Sequence, residues 1–209
     1  MDTIILTSVL LVCQISNFSG QHFSEASSFT ERNLRRQTPT APELKVQILR
    51  NAKVATYSFQ DYFKNFENLD AVKHIFGEKT GEVLHSLRVE FTSGRGYMGV
   101  NDEDGHIRIN ANYLNNGELA DLYLDIIHEL THVKQYMEGK KLFDDHYRYV
   151  DRPTELEAFQ NAVNEARRLG LTEKEIAEYL RTERMTDEEI DALTKALGVK
   201  TQAQNNQKP

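Results

Sequence analysis

The residues best suited to chemistry in this chain are His128, Glu129 and His132, which stand in the run His-Glu-Leu-Thr-His. Two histidines four positions apart lie on one face of a helix, one turn apart, so both imidazoles can bind a single ion. Glu129 is rotated away from the pair and can instead hydrogen-bond a water beside the ion, as a general base must. The spacing therefore predicts a metal site that activates water.

The composition limits the kind of metal ligand that the chain can supply. Its 209 residues include seven His and one Cys. A single thiol excludes intramolecular disulfides and Cys-rich zinc or iron–sulfur sites, so a metal must be held by His and carboxylate groups. The net charge is −7 and no block of basic residues is present. Binding to nucleic acid through its phosphates is therefore not expected.

A catalytic zinc ion takes three protein ligands and keeps one position open, so a third ligand is needed. A helix predicted to begin at Pro153 carries Glu155 and Glu157 near its start, after a loop long enough to fold back over the histidine helix. The small Ala158 would allow the two helices to approach closely. His146, within the loop, is a further candidate. These residue types by themselves leave the third ligand open.

Hydrophobic periodicity predicts a small sheet ahead of the histidine helix. Residues 87–91 and 106–110 alternate between apolar and polar side chains, as half-buried strands do. With residues 97–100 between them and an Asp-Gly turn at 104–105, they predict a three-stranded antiparallel meander. Residues 44–59 are predicted to form one or two helical turns.

Two longer helices and a short helical pair are predicted after the strands. The first begins at Asn115 or Asn116 as N-cap and ends at Gly139, with the histidine pair pointing away from its apolar stripe. The second begins at Pro153, a residue suited to the first helical position, and ends before Gly170. Two later capping boxes, each a Thr three residues before a Glu, predict the helical pair.

In this order, the motifs resemble the gluzincin zinc metallopeptidases, most closely the small ImmA/IrrE-type and minigluzincin-like members. Those families have an Ile-x-Ile-Asn strand, a His-Glu-x-x-His helix and a Glu-x-x-Ala helix, which correspond to residues 107–110, 128–132 and 155–158. The resemblance covers roughly residues 87–169. It implies an α+β, zincin-like fold in which a small antiparallel sheet packs on the active-site helix, followed by a glutamate helix. It also implies Zn²⁺ as cofactor and a protein or peptide as substrate.

The resemblance also implies a third ligand, although the chain departs from the family pattern nearby. Glu155 stands three residues before Ala158, where the family ligand stands. The family often has Asp or Asn four residues after that ligand, and here the position is Phe159. Glu157 does have Asn161 four residues after it. Glu155 is therefore the preferred metal ligand together with His128 and His132, and Glu157 remains the alternative.

The implied activity is peptide-bond hydrolysis with a zinc-activated water and Glu129 as general base. Tyr147 or Tyr149, in the loop before the second helix, is expected to stabilise the oxyanion. The strand at 106–110 is expected to form the upper rim of the cleft and to bind extended substrate by edge pairing. The alternative function is a catalytically silent zinc-binding regulatory or interaction protein, which the absence of an Asp or Asn at Phe159 favours.

Five segments are predicted along the chain. Residues 1–20 suit a secretory signal peptide, or else an apolar tail, and their apolar core from Ile4 to Val12 is too short to span a bilayer. Secretion is slightly favoured over a cytoplasmic location. Residues 21–43 are rich in Ser, Thr, Gln and Pro and predict a disordered linker, and residues 201–209 a disordered tail. Between them lie a metallopeptidase domain, 44–170, and the C-terminal helical pair, 171–200.

Overall fold

The structure is a computed structural model that describes residues 45–181 and 185–200. The predictions of a signal peptide at 1–20, a linker at 21–43 and a tail at 201–209 lie outside the described residues. None of the helices in the described part of the chain is long and apolar enough to cross a bilayer.

The strands form one four-stranded sheet and one small two-stranded sheet. They are β1 (Gln47–Ile48), β2 (Ala55–Ser58), β3 (Phe63–Lys64), β4 (Arg88–Thr92), β5 (Met98–Val100) and β6 (Ile107–Asn110). The larger sheet has the order β2-β4-β6-β5, and β1 pairs with β3. All pairs are antiparallel except β4 with β6, which is parallel.

The predicted meander is confirmed at one hairpin and wrong at the other pairing. Strands β5 and β6 form the hairpin, and the amide of Asn101 donates to the carbonyl of His106 at 2.9 Å. Strand β4, however, pairs with β6 instead of β5. Its buried residues Val89 and Phe91 lie opposite the apolar residues of β6, so the two strands with the most buried residues are adjacent in the middle of the sheet. The shorter, glycine-containing β5 is left at the edge.

The prediction of helical turns at 44–59 is wrong over most of that segment, which contains strands β1 and β2. The ring of Tyr57 lies 5.6 Å from the ring of Phe91 on the neighbouring strand. This pairing across the sheet overrides the weak helical spacing of the local sequence. The aromatic residues that follow, Phe63 and Phe66, are fully buried.

Eight helices complete an α+β architecture in the described residues, which confirms the predicted class. They are α1 (Phe59–Tyr62), α2 (Asp70–Phe76), α3 (Thr80–Ser86), α4 (Ala111–Asn116), α5 (Leu119–Met137), α6 (Pro153–Arg168), α7 (Glu173–Leu180) and α8 (Asp187–Ala196). Helix α5 packs on α6 along one face and also contacts α2 and strand β5. It is the central element of the fold.

The histidine helix begins later than predicted. Asn110 caps the separate helix α4, its side-chain oxygen accepting from the amides of Asn112 and Tyr113. Gly117 is extended and interrupts the helix, and α5 then begins after Glu118. The prediction that Asn115 or Asn116 is the cap is therefore wrong, because the glycine divides the apolar pattern into two helices. Helix α6 begins at Pro153 and ends before Gly170, as predicted.

The C-terminal helical pair forms as predicted, with both capping boxes in place. Helix α7 contacts α6, and α8 contacts the 3₁₀ turn at Tyr149–Asp151. The inward side chains of the pair include Ile176 and Leu193, both fully buried. The pair therefore shares a core with the preceding helices.

Substitution of Leu193 by alanine should test this shared core. The side chain is fully buried, so its loss leaves a cavity and should lower the free energy of unfolding by about 2–5 kcal/mol. Urea unfolding followed by circular dichroism measures the change. Lys195→Ala, at an exposed position of the same helix, is the control and should shift stability by no more than about 0.5 kcal/mol. Equal stabilities of the two variants would contradict the shared core.

Candidate metal centre

Helix α5 brings the two motif histidines to a common point. Their Nε2 atoms lie 3.0 Å apart, and each residue is only 6% exposed. The histidines face away from the side of α5 that bears Leu130, as predicted, and helix α6 covers them. Two imidazole nitrogens are thus held together in a buried site.

Glu155 completes a triangle of possible ligand atoms. Its Oε2 atom lies 3.3 Å from Nε2 of His128 and 3.4 Å from Nε2 of His132. In a tetrahedral zinc site with bonds of about 2.0–2.1 Å, neighbouring ligand atoms are about 3.3 Å apart. The three residues could therefore hold a metal ion without rearrangement. Glu155 lies in the first turn of α6, so the packing of α6 on α5 creates the site.

The charges in this triangle favour a cation at its centre. Burial opposes ionisation of Glu155, but its contacts with the two imidazoles outweigh burial and hold its pKa well below the usual range. Burial also opposes a charge on His132, but Glu155 and Glu129 raise its pKa to about 9. For His128 burial prevails, with help from His132, and lowers the pKa. The negative charge of Glu155 thus favours a cation between the imidazoles, either a proton or a metal ion.

The two imidazoles differ in what their second ring nitrogen contacts. Nδ1 of His132 lies 2.8 Å from Oε1 of Gln135. Nδ1 of His128 is buried without a hydrogen-bond partner in the described residues, and its ring packs against Phe159 at 4.4 Å. The contact with Gln135 was not predicted from the sequence. The spacing of three residues from His132 on the same helix is the signal that could have indicated it.

Glu129 lies beside the triangle and is not part of it. The residue is 7% exposed, and its Oε2 atom has no hydrogen-bond partner in the described part of the chain. Burial raises its pKa to about 8, and the negative charges of Glu155 and Asp125 add to this while His132 opposes it. A buried carboxylate with an elevated pKa next to a metal site is suited to accept a proton.

Glu157, the alternative third ligand, lies outside the triangle, and that prediction is wrong. Its carboxylate contacts Nζ of Lys140 at 2.8 Å and Nε2 of Gln135 at 3.0 Å. Two residues along a helix correspond to a rotation of about 200°, so Glu155 and Glu157 cannot face the same point. Asn161, which supported this alternative, donates to Oγ1 of Thr131 at 3.1 Å.

Of the loop residues proposed from the sequence, only Tyr149 is brought to the site. The residue as a whole is 39% exposed, but its hydroxyl interacts with Glu155. Burial and the charges of Glu155 and Glu129 raise the pKa of this hydroxyl. Tyr147 is 46% exposed and is not placed at the site. The side chain of His146 is 81% exposed and pairs with Asp144, so it lies outside the triangle.

The helical pair adds Tyr179 to the surroundings of the site, a residue that was not predicted from the sequence. The hydroxyl of Tyr179 is buried, and burial together with the charge of Asp125 raises its pKa. Asp125 lies one turn before Glu129 on α5, so α7 forms part of the wall around the centre.

The chain matches no protein-family model, no curated protein and no solved structure.

Proposed function

We propose that the protein is a zinc-dependent metallopeptidase with a zincin-like fold. The observation that carries this proposal is the buried triangle of His128, His132 and Glu155, whose edges are 3.0, 3.3 and 3.4 Å. Two imidazole nitrogens and one carboxylate oxygen suit zinc and leave one tetrahedral position open. The general base expected next to such a site is present as Glu129.

The chemistry divides between the ion and the side chains. A zinc ion in the triangle would supply a Lewis acid that polarises a carbonyl and acidifies water. Glu129 accepts the proton of the attacking water at Oε2 and delivers it to the nitrogen of the leaving amine. Its pKa of about 8 without an ion favours the protonated form at neutral pH. A neighbouring dication favours the ionised form that can act as base.

Strand β5 is the element that we assign to binding extended substrate. The prediction that the strand at 106–110 offers a free edge is wrong, because β6 lies between β4 and β5. Strand β5 (Met98–Val100) is one of the two edge strands of the sheet in the described residues, and it packs against α5. A peptide could add to this edge through backbone hydrogen bonds. That position would place its scissile bond near the histidine helix.

The Tyr149 hydroxyl is the group that we assign to the developing oxyanion. Removing one such donor typically costs about 10²–10³ in kcat, so Tyr149→Phe should show a loss of that order with unchanged zinc affinity. Steady-state kinetics and zinc titration on the same preparations measure both. Tyr147→Phe, on the same loop but exposed, is the matched control and should keep wild-type kcat. Equal kcat values for the two variants would remove Tyr149 from the mechanism.

The proposed function is tested by metal content and peptide cleavage together. Purified protein should contain one zinc ion per chain and cut members of a peptide library. A chelator should stop the cleavage, and added zinc should restore it. Folded protein that binds no zinc would contradict the proposal.

A catalytically silent zinc-binding regulatory or interaction protein is the second candidate. The observation that favours it is Nδ1 of His128, which lies against Phe159 and has no hydrogen-bond partner among the described residues. Ligating histidines usually donate that proton to a carboxylate or carbonyl. If zinc raises the melting temperature but no library peptide is cut, this candidate is correct.

A further inference from the structure

We infer that Gln135 is a positioning residue that fixes the ring nitrogen with which His132 faces the metal, and that Glu157 holds Gln135 in place. This inference rests on the metal-binding part of the proposed function. It does not require that the protein cut peptides. It concerns the connection between the triangle and a surface ion-pair network on the adjoining ends of α5 and α6.

The orientation of the Gln135 amide is determined by its neighbours. The residue is fully buried, and its Nε2 atom lies 2.9 Å from the carbonyl oxygen of Thr154 and 3.0 Å from Oε2 of Glu157. A backbone carbonyl and a carboxylate can only accept hydrogen bonds. The NH₂ end must therefore point toward these two oxygens. The Oε1 end then faces His132.

This orientation selects one state of the His132 ring. Because Oε1 of Gln135 only accepts, Nδ1 of His132 must carry the proton across their 2.8 Å contact. In the neutral imidazole, the lone pair is then on Nε2. That atom is the one directed at Glu155 and at Nε2 of His128. Gln135 thus presents the metal-binding nitrogen and holds the ring at the correct angle.

Glu157 is the anchor of this arrangement. Its carboxylate is held by Nζ of Lys140 at 2.8 Å and Nζ of Lys134 at 3.5 Å. Because an ionised carboxylate only accepts hydrogen bonds, Glu157 can bond only the NH₂ end of the Gln135 amide. The amide therefore cannot take the opposite orientation. Gln135 belongs to α5, whereas Thr154 and Glu157 belong to α6, so these bonds also join the two helices that supply the ligands.

The site depends on the hydrogen bond from His132 to Gln135 because no corresponding bond orients His128 in the described residues. Its Nδ1 atom has no hydrogen-bond partner in the described residues, and its ring is held by packing on Phe159. Gln135 therefore provides the side-chain hydrogen bond that orients an imidazole of the triangle. Loss of an outer partner of this kind typically weakens metal binding by about 10–100-fold.

The first test is zinc affinity of Gln135→Leu, measured by competition with a chromophoric chelator. We expect the Kd to rise by about 10–100-fold. Gln160→Leu is the control, because Gln160 lies on α6 and bonds to Asn164 away from the triangle. In zinc-loaded wild type, NMR should also show a slowly exchanging Nδ1 proton of His132. That proton should exchange rapidly in Gln135→Leu and remain protected in Gln160→Leu.

A second variant, Gln135→Met, keeps the length of the side chain but removes the amide that accepts from His132 and donates to Thr154 and Glu157. We expect a rise in Kd of about 10–100-fold and rapid exchange of the His132 Nδ1 proton. If Gln135→Leu does not fold, Gln135→Met decides alone, and wild-type affinity in either folded variant overturns the inference. Glu157→Leu removes only the anchor and should also speed exchange of that proton; unchanged exchange would remove the role of Glu157. Wild type that binds no zinc contradicts the proposed function instead.

Discussion

Replacing Glu129 with glutamine is expected to reduce kcat for peptide hydrolysis by about 10²–10⁴-fold while zinc remains bound. Glutamine has nearly the same shape as glutamate, so the buried position beside His132 is filled as before. An amide cannot take the proton of the attacking water and pass it to the leaving nitrogen. The measurements are kcat on a peptide that the wild type cuts and zinc content by mass spectrometry under native conditions.

Glu138→Gln is the matched control for this prediction. Glu138 follows the last turn of the same helix and pairs with Lys134 and Lys140 near the surface, so its loss should leave kcat unchanged. Full activity in Glu129→Gln would contradict the mechanism. A loss of zinc in that variant would instead make Glu129 a ligand. Glu129→Gln should thus lower kcat and leave zinc bound, whereas Gln135→Leu should weaken zinc binding first.

The part of the site that could be predicted from the sequence is the part that a single helix determines. Helical geometry places His128 and His132 on one face and turns Glu129 away from them, whatever packs around the helix. The capping boxes of the helical pair are equally local, since each involves residues only three positions apart. For these interactions, whose residues are close in sequence, the structure agrees with the prediction.

Most of the differences from the prediction occur where distant segments determine the structure. Parallel pairing of β4 with β6 depends on which strands meet in the middle of the sheet, and neither strand indicates its partner. The break before α5 is the exception, because Gly117 is a local signal for it. The bonds from Gln135 to Thr154 and Glu157 join two helices, and only their packing reveals them.

The residue types alone do not decide between Glu155 and Glu157, for the same reason. Both residues stand near the start of α6, and either carboxylate suits the N-terminal end of a helix. The rotation of α6 about its axis decides which one faces α5. That rotation follows from Ala158 and Ala162, which are fully buried and allow the helices to approach closely. They direct Glu155 inward and leave Glu157 beside Lys140.

Glutamine substitution at these two positions should therefore have very different effects on zinc. Glu155→Gln removes a charged ligand from the triangle and should weaken zinc binding by more than about 100-fold, beyond the effect of losing an outer partner. Glu157→Gln keeps an oxygen that can accept from Gln135 and should change the Kd by only a few-fold. Each change preserves shape, so the pair separates ligation from packing.

Thermal unfolding with and without a chelator provides a second measurement on the same variants. Zinc present at 100 times its Kd stabilises the folded state by about 2.7 kcal/mol, so a chelator should lower the melting temperature of wild type and of Glu157→Gln. Glu155→Gln should melt at the same temperature in both conditions. The reverse result, with zinc lost in Glu157→Gln and retained in Glu155→Gln, would mean that α6 is rotated relative to this structure. In that case Glu157 would be the third ligand, and Gln135 would lose the anchor that we assign to it.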